Sequence, residues 1–509
     1  MSDKYETYLR DESRFTGRAE EILFPTEAEE VASALRQASE SGVPITVQGS
    51  RTGITGAASP VEGRILAMER MKAITGLSVD ESGTFLVTLE PGVRLVDLTD
   101  CLARKSFDIS GWERGSLYHY ERLRHAPTLF FPPDPTETTA TLGGMFACNA
   151  QGLCACRYGA TADYVHDLDV ALTDGQVWKI ARGEYRFDLK GITLPDGRRL
   201  ETKTAFPRRL CPLTPYKGMD LIDLFAGSEG MLGVVTSLTL RLLPAPSVRW
   251  AVMFFFAELE RAAEFSQSIV SSWAFNKETV EAVELFDRGS LELVEGLKTE
   301  ITKLRVIPDI SPAHQAAVYV QLAEEDAGAV EDVLSNLLEV FADCGGDESD
   351  TWAAEGEEEM KKFTLFRHAV PEAANLRIDH IRRSYPQARK TASDFTAPPG
   401  RLKEVVALYR QGIEGSGVSG IVFGHAALGR LHVNLFPETA RQREEAWTLI
   451  DRWADQILEM GGSLSGENGV GKLKRGLLSR HIPPEQLQAA LALKKFFDPQ
   501  DLLNRGNMF

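Results

Sequence analysis

The most informative short piece of the chain is GHAALGRLHVNLFP, residues 424–437. From Arg430 onward it alternates. Arg430, His432 and Asn434 fall on one face of an extended strand, and Leu431, Val433 and Leu435 fall on the other. A half-buried strand turns its apolar face to the core, so the polar trio faces a cavity or solvent. His425 precedes the strand across a glycine-containing turn and can return to the same cavity, where Arg430 favours an anionic ligand. A hydrogen-bonded core residue is the alternative for either histidine taken alone. Arg367, in FTLFRHAVPEAA, offers a guanidinium fork that can hold a carboxylate by two parallel bonds; a surface ion pair is its plainer reading.

A second kind of chemistry is spread over glycine-rich stretches. Residues 132–159, PPDPTETTATLGGMFACNAQGLCACRYG, hold Pro133, Asp134, Thr138, Thr141, Gly143, Gly144, Asn149, Gly152 and Gly159. Threonine hydroxyls and glycine amides bond imide and phosphate oxygens, and glycines let a backbone approach an aromatic ring, so the stretch reads as a wall around a flat ligand. A turn-rich surface loop is the alternative. Upstream, a strand PITVQ empties into GSRTGITG. Gly49, Ser50, Arg51, Thr52 and Gly53 can there form a nest of amides plus one guanidinium for a pyrophosphate. The spacing is neither the dinucleotide fingerprint nor a P-loop.

Together with FAGSEGMLGVVTSLTLRLLP (residues 225–244), LEPGVRLVDL, GATADYVHDLDVALTDG and the tail SGENGVGKLKRG, these stretches resemble the vanillyl-alcohol oxidase type flavoproteins over nearly the whole chain. The closer resemblance is to the branch of D-lactate, glycolate and D-2-hydroxyglutarate dehydrogenases. It implies an α+β fold: a two-subdomain FAD-binding domain of the PCMH type at 1–245, an antiparallel-sheet cap domain for substrate at 246–455, and a segment at 456–509 returning to the first. It assigns the loop at 49–53 to the FAD pyrophosphate and adds Val235 and Asn504 to the flavin site. That loop lacks the histidine through which many relatives tether the flavin, so FAD is expected to be noncovalent.

The resemblance further implies that Arg367 grips a substrate carboxylate and that Asn434 contacts substrate. His425, His432 and Glu467 would ligate a divalent metal such as zinc, manganese or iron, leaving positions open to a chelating hydroxy acid. Two departures stand out. Leu428 and Arg430 replace an acidic and an amide residue, and Asn468 replaces the histidine that removes the hydroxyl proton, a task no amide performs near neutral pH. The expected reaction is hydride transfer from a small anionic 2-hydroxy acid, the D form, to the flavin, with electrons leaving to an acceptor protein or quinone. An alkyl-glycerone-phosphate synthase-like flavin transferase, or an electron-transfer subunit with a decayed substrate site, are the alternatives.

These groups need elements to place them. Thr26 and Glu29 stand in capping-box register before a helix that ends at Gly42. TFLVTLE after an ESG turn makes a hairpin, and LVDLTDCLARK is helical. Residues 106–127 are a long excursion that either covers the site or packs on the surface. A basic island at 181–217, which includes Lys203, Arg208 and Arg209, is either a docking face for an anion or a solvated face. Strands WAVMFFFAE and HQAAVYVQLA alternate with helices at about 259–273 and 326–343, the layout of an antiparallel sheet with helices on one face. AAEGEEEMKK, residues 353–362, reads as an exposed helix, and a helix over about 438–460 presents Trp447, Ile450, Ala454 and Ile457 to the core.

At 509 residues the chain is too long for one core. A net charge of −17 argues against nucleic acid as a partner. No apolar run is long enough for a transmembrane segment, and the charged start does not read as a secretory signal. Six scattered cysteines without a CxxC pair read as buried thiols in a reducing compartment. A cytoplasmic protein is expected, with a peripheral place at the inner membrane as the alternative.

Overall fold

The computed structural model describes residues 3–202, 204, 206, 210–271 and 278–509. Lys203, Arg208 and Arg209 of the basic island, and the last two residues of the helix expected at 259–273, lie outside the described residues. The chain forms two units, one of residues 1–152, 159–245 and 467–509, the other of residues 153–158 and 246–466.

The first unit opens with a parallel sheet in the order β1 (Glu21–Leu23), β3 (Arg64–Ala67), β2 (Ile45–Gln48). Helix α1 (Ala28–Ser41) joins β1 to β2 and ends at Gly42, whose φ of 69° is left-handed. The expected capping box is displaced by one residue, because Thr26 bonds the Glu30 carboxylate rather than Glu29. A five-stranded antiparallel sheet holds β4 (Ile74–Val79), β5 (Phe85–Leu89), β6 (Val165–Ala171), β7 (Val177–Ala181) and β8 (Val234–Arg241), in the order β4-β5-β8-β6-β7. Helix α2 (Leu95–Arg104) follows β5, and the excursion at 106–127 folds into α3 (Arg114–His125). It packs on its own unit: Trp112 is buried and its Nε1 donates to the Ile74 carbonyl of β4. Helix α4 (Leu142–Cys148) is capped by Thr141, whose hydroxyl accepts from the Gly144 amide.

The second unit is built on one seven-stranded antiparallel sheet. Its strands are β9 (Val248–Phe256), β10 (Val280–Asp287), β11 (Ala316–Glu324), β12 (Thr351–Glu355), β13 (Thr391–Ser393), β14 (Gly420–His425) and β15 (His432–Leu435). Their order is β12-β9-β11-β10-β14-β15-β13. Helices cover both faces, not one. Phe254 and Phe256 of β9 pack on Phe265 of α5 (Leu259–Ser271) and Phe341 of α7 (Ala327–Asp343). Met253 and Phe255 join the core under α6 (Arg288–Glu300) and α8 (Gly356–Ile381). The continuous apolar run AVMFFF is the signature of a strand buried on both sides.

Two expected helices differ as well. The acidic run at 353–362 divides between β12 and the start of α8, which continues through Pro371 to Ile381 with Phe363 and Phe366 in the core. In α10 (Ala440–Glu459) the buried tryptophan is Trp453, not Trp447, which is 40% exposed. Trp453 meets Tyr409 of α9 (Leu402–Ser416) at 4.9 Å between rings, and a Cβ on Gly412 would come within 2.6 Å of the indole. This packing makes α10 part of the second unit, which therefore runs to Gly466 instead of 455. Among the described residues no helix is long and apolar enough to cross a membrane.

Candidate functional site

In the first unit the glycine-rich stretches, far apart in sequence, come together. A Cβ on Gly49 would lie 2.1 Å from the Thr141 hydroxyl, so the β2 loop and the start of α4 touch as only a glycine permits. Ser50 Oγ donates to the Thr139 carbonyl at 2.6 Å. Gly143 packs on Pro91, and Gly152 on Asp134, with equally little room. These glycines therefore serve contacts within the chain, whereas a Cβ on Gly53 would meet no protein atom. Arg51 adopts φ 61°, its guanidinium lying 4.2 Å from the Tyr8 ring centre and 3.8 Å from Glu69. Asn149, at φ 50°, closes α4 and accepts from the Ala162 amide. Thr138 offers its carbonyl to Val96, Pro133 is buried, Thr52 is half-buried, and Gly159 at φ 78° turns against Asp163.

The loop after Phe225 joins the same assembly. The Gly227 and Glu229 amides donate to the carbonyls of Phe146 and Ala147, and Val235 pairs with Val170 in the sheet. Asn504, at φ 46° and buried, accepts from the Val47 amide at 2.7 Å and donates to the Glu229 carbonyl. Glu229 itself was not singled out by the sequence. Its buried carboxylate accepts from the amides of Val470 and Gly471, 2.6 and 2.9 Å away, which fastens the SGENGVG return to the unit. Burial raises its pKa against those bonds. The converging loops, an uncluttered Gly53 and a capped helix start fit a dinucleotide cofactor.

In the second unit two of the site residues, His425 and Arg367, share a carboxylate that sequence reasoning also missed. Glu284 of β10 is the register partner of His425 on β14, and its Oε1 lies 3.2 Å from His425 Nδ1. Its other oxygen accepts from Arg367 Nε at 2.8 Å. Arg367 reaches it from α8, a helix packed on that face of the sheet. His432 sits on β15, its ring centre 5.8 Å from that of His425. With metal–nitrogen bonds of about 2.1 Å, one ion can bind both rings at this spacing. Asn434 is buried on the same strand, and Arg430 is buried with its Nε donating to Thr396 Oγ1. Gly466 is tied to Asp394 by its amide, and Glu467 and Asn468 follow it directly in the first unit. The only sequence signal for Glu284 is a lone acid within the apolar run AVELF.

Three residues along β10, a bulge makes Glu281 the extra residue against β11. Its fully buried carboxylate accepts from Arg249 Nε and Nη2 at 3.0 and 3.2 Å, from Tyr158 Oη at 2.7 Å and from Gln321 Nε2 at 2.7 Å. Burial alone would raise its pKa, but Arg249 and these bonds hold it below the usual carboxylate value. The Cys148 and Cys156 thiols are pushed up to about 12 by burial, so neither is a ready nucleophile.

Comparison with known proteins places the chain in a family. The family "FAD linked oxidases, C-terminal domain" matches residues 245–508, and "FAD binding domain" matches residues 19–110 and 120–181. The chain is 28% identical to the glycolate oxidase subunit GlcD of Bacillus subtilis, over 96% of this chain and 88% of that protein. It is 26% identical to a D-lactate dehydrogenase of Anaerostipes hadrus, over 99% of this chain and 92% of that one. Among solved structures, a 4-ethylphenol oxidase from Gulosibacter chungangensis shares the fold at TM-score 0.64 and 15% identity, covering 99% of this chain and 92% of the other. An alkyldihydroxyacetonephosphate synthase shares it at TM-score 0.60 and 16% identity, over 95% and 75%.

Proposed function

Because the chain belongs to the FAD-linked oxidases and is an FAD-dependent oxidoreductase, we propose that it oxidises a small 2-hydroxy acid of the D-lactate or glycolate type. The observation that carries this reading is the placement of Arg367 and His425 on one carboxylate, Glu284, with His432 alongside. A 2-hydroxy acid carries a carboxylate next to a hydroxyl, which suits a guanidinium beside a pair of imidazoles. FAD, when bound, accepts the hydride, and a divalent metal, when bound, chelates the hydroxyl and carboxylate.

The chain's own residues do the rest. Arg367 binds and orients the carboxylate, which selects the face of the carbon presented for oxidation. His425 and His432 would hold the metal, with Glu467, one residue beyond Gly466, as the third ligand. Asn434 donates to substrate from β15. Asn468 orients by its amide and cannot take the hydroxyl proton, which passes to water. The 49–53 loop, Thr141, Gly144 and the 227–235 loop would hold FAD noncovalently, and an acceptor protein or quinone would receive its electrons. A cytoplasmic site, alone or at the inner membrane, suits six cysteines that form no disulfide.

Anaerobic addition of D-lactate, L-lactate, glycolate and D-2-hydroxyglutarate to purified, metal-loaded protein tests this. We expect flavin absorbance near 450 nm to bleach with at least one D acid or glycolate, on the order of the usual enzyme turnover rates of 1–10³ per second. A flavin that stays oxidised with all four favours the second reading, an electron-transfer subunit, to which Asn468 and Leu428 point.

A further inference from the structure

We propose that Glu284 is the positioning residue of the substrate site, fixing the ring of His425 for a metal and the plane of Arg367 for a carboxylate with the two oxygens of one side chain. This rests on the reading of His425 and His432 as metal ligands. The register comes first: Glu284 and His425 are directly opposed on antiparallel neighbours, so their side chains leave the same face of the sheet. Glu284 Oε1 meets Nδ1 at 3.2 Å. A neutral imidazole that donates from Nδ1 carries its lone pair on Nε2, the nitrogen a metal then uses, and carboxylate–histidine–metal relays of this kind both orient the ring and make it more basic.

The second oxygen does a separate task. It accepts from Arg367 Nε at 2.8 Å, and a guanidinium is planar, so one bond at Nε together with the helical root of the side chain sets the direction of its terminal nitrogens. The side chain of Glu284 is 5% exposed and that of Arg367 14%, so solvent competes little for either. A charge inserted merely to stabilise the sheet needs one partner. Glu284 divides its two oxygens between the two groups that the proposed chemistry requires to be held at a fixed separation.

The test uses full-length protein with FAD bound, carrying Glu284→Gln or Glu284→Asp. Gln keeps the shape, but its amide nitrogen cannot accept, so one of the two contacts is lost. Zinc affinity is measured by competition with a colorimetric chelator, and oxalate affinity by perturbation of the flavin spectrum, with flavin content and melting temperature as controls on folding. We expect Glu284→Gln to bind zinc about 10–100-fold more weakly and to lose oxalate affinity, with flavin content unchanged and Glu284→Asp in between. Wild-type zinc and oxalate affinities in both variants, even with a lowered melting temperature, would show a purely structural carboxylate and overturn the inference while leaving the metal reading intact. A wild-type protein that binds no zinc, manganese or iron would remove both. Should Glu284→Gln fail to fold, the Asp variant decides by the same two affinities.

Discussion

Glu281 and Glu284 stand three residues apart on one strand, both buried, and their surroundings set them to different work. Glu281 fills its oxygens with donors on its own sheet and the crossing segment: the Arg249 fork, the Tyr158 hydroxyl and the Gln321 amide. Glu284 divides its oxygens between two side chains of the proposed site, one oxygen accepting from Arg367 Nε and the other meeting His425 Nδ1. A saturated buried carboxylate is a clamp, because removing any partner exposes the desolvation cost of the charge. A shared one is a template, because what matters is the direction it imposes on its partners.

Arginine deletions break this comparison most sharply. Arg249→Met leaves Glu281 buried with neutral donors and the more distant Arg157, 3.9 Å away, as counter-charge, and we expect a loss of about 3–5 kcal/mol in unfolding free energy, read by denaturant titration. Zinc affinity should not move. Arg367→Met leaves Glu284 on His425, so its cost should fall on substrate: kcat/KM with an artificial acceptor down by about 10²-fold or more, the order of 2–5 kcal/mol for truncating a hydrogen-bonded charge partner. If Arg367→Met instead costs stability and spares kcat/KM, the template reading of Glu284 fails.

The smallest effects come from pH and also separate neighbours on this strand. Glu281 titrates below its ordinary value of 4.5, so its stabilisation is complete above that pH and lost as pH falls through the lower folded value. Asp287, at the end of β10, is driven by burial up to about 6 from 3.8 despite bonds from Ser290 and Val422. The folded state therefore binds the extra proton, and stability declines as pH rises from about 4 through 6. Melting curves from pH 7 down to pH 3 should show Asp287→Asn flattening the change between pH 6 and 4 without touching the fall below 4.5, which belongs to Glu281.

Much of this was legible in the residues because local chemistry and tertiary demand agreed. Gly42 had to end α1, and the alternation after Arg430 had to make a strand. The misses share one cause, that a sequence shows which residues are apolar but not how many sides they are buried on. AVMFFF named a strand without revealing helices on both its faces, and in α10 two tryptophans six residues apart gave no sign that Gly412 makes room for only Trp453. Glu229, Glu281 and Glu284 were hidden for the same reason. An acid in a turn or between apolar neighbours looks solvated until its partners, from strands and helices distant in sequence, are known.

The six residues 153–158 leave the first unit for the second and then go back, bringing Tyr158 to Glu281 and Arg157 to the Ala323 carbonyl. A cut between residues 245 and 246 therefore parts these six residues from the rest of their unit, and residues 467–509 from the rest of theirs. A fragment beginning at residue 246 lacks both the phenol that donates to Glu281 and the guanidinium that donates to the Ala323 carbonyl.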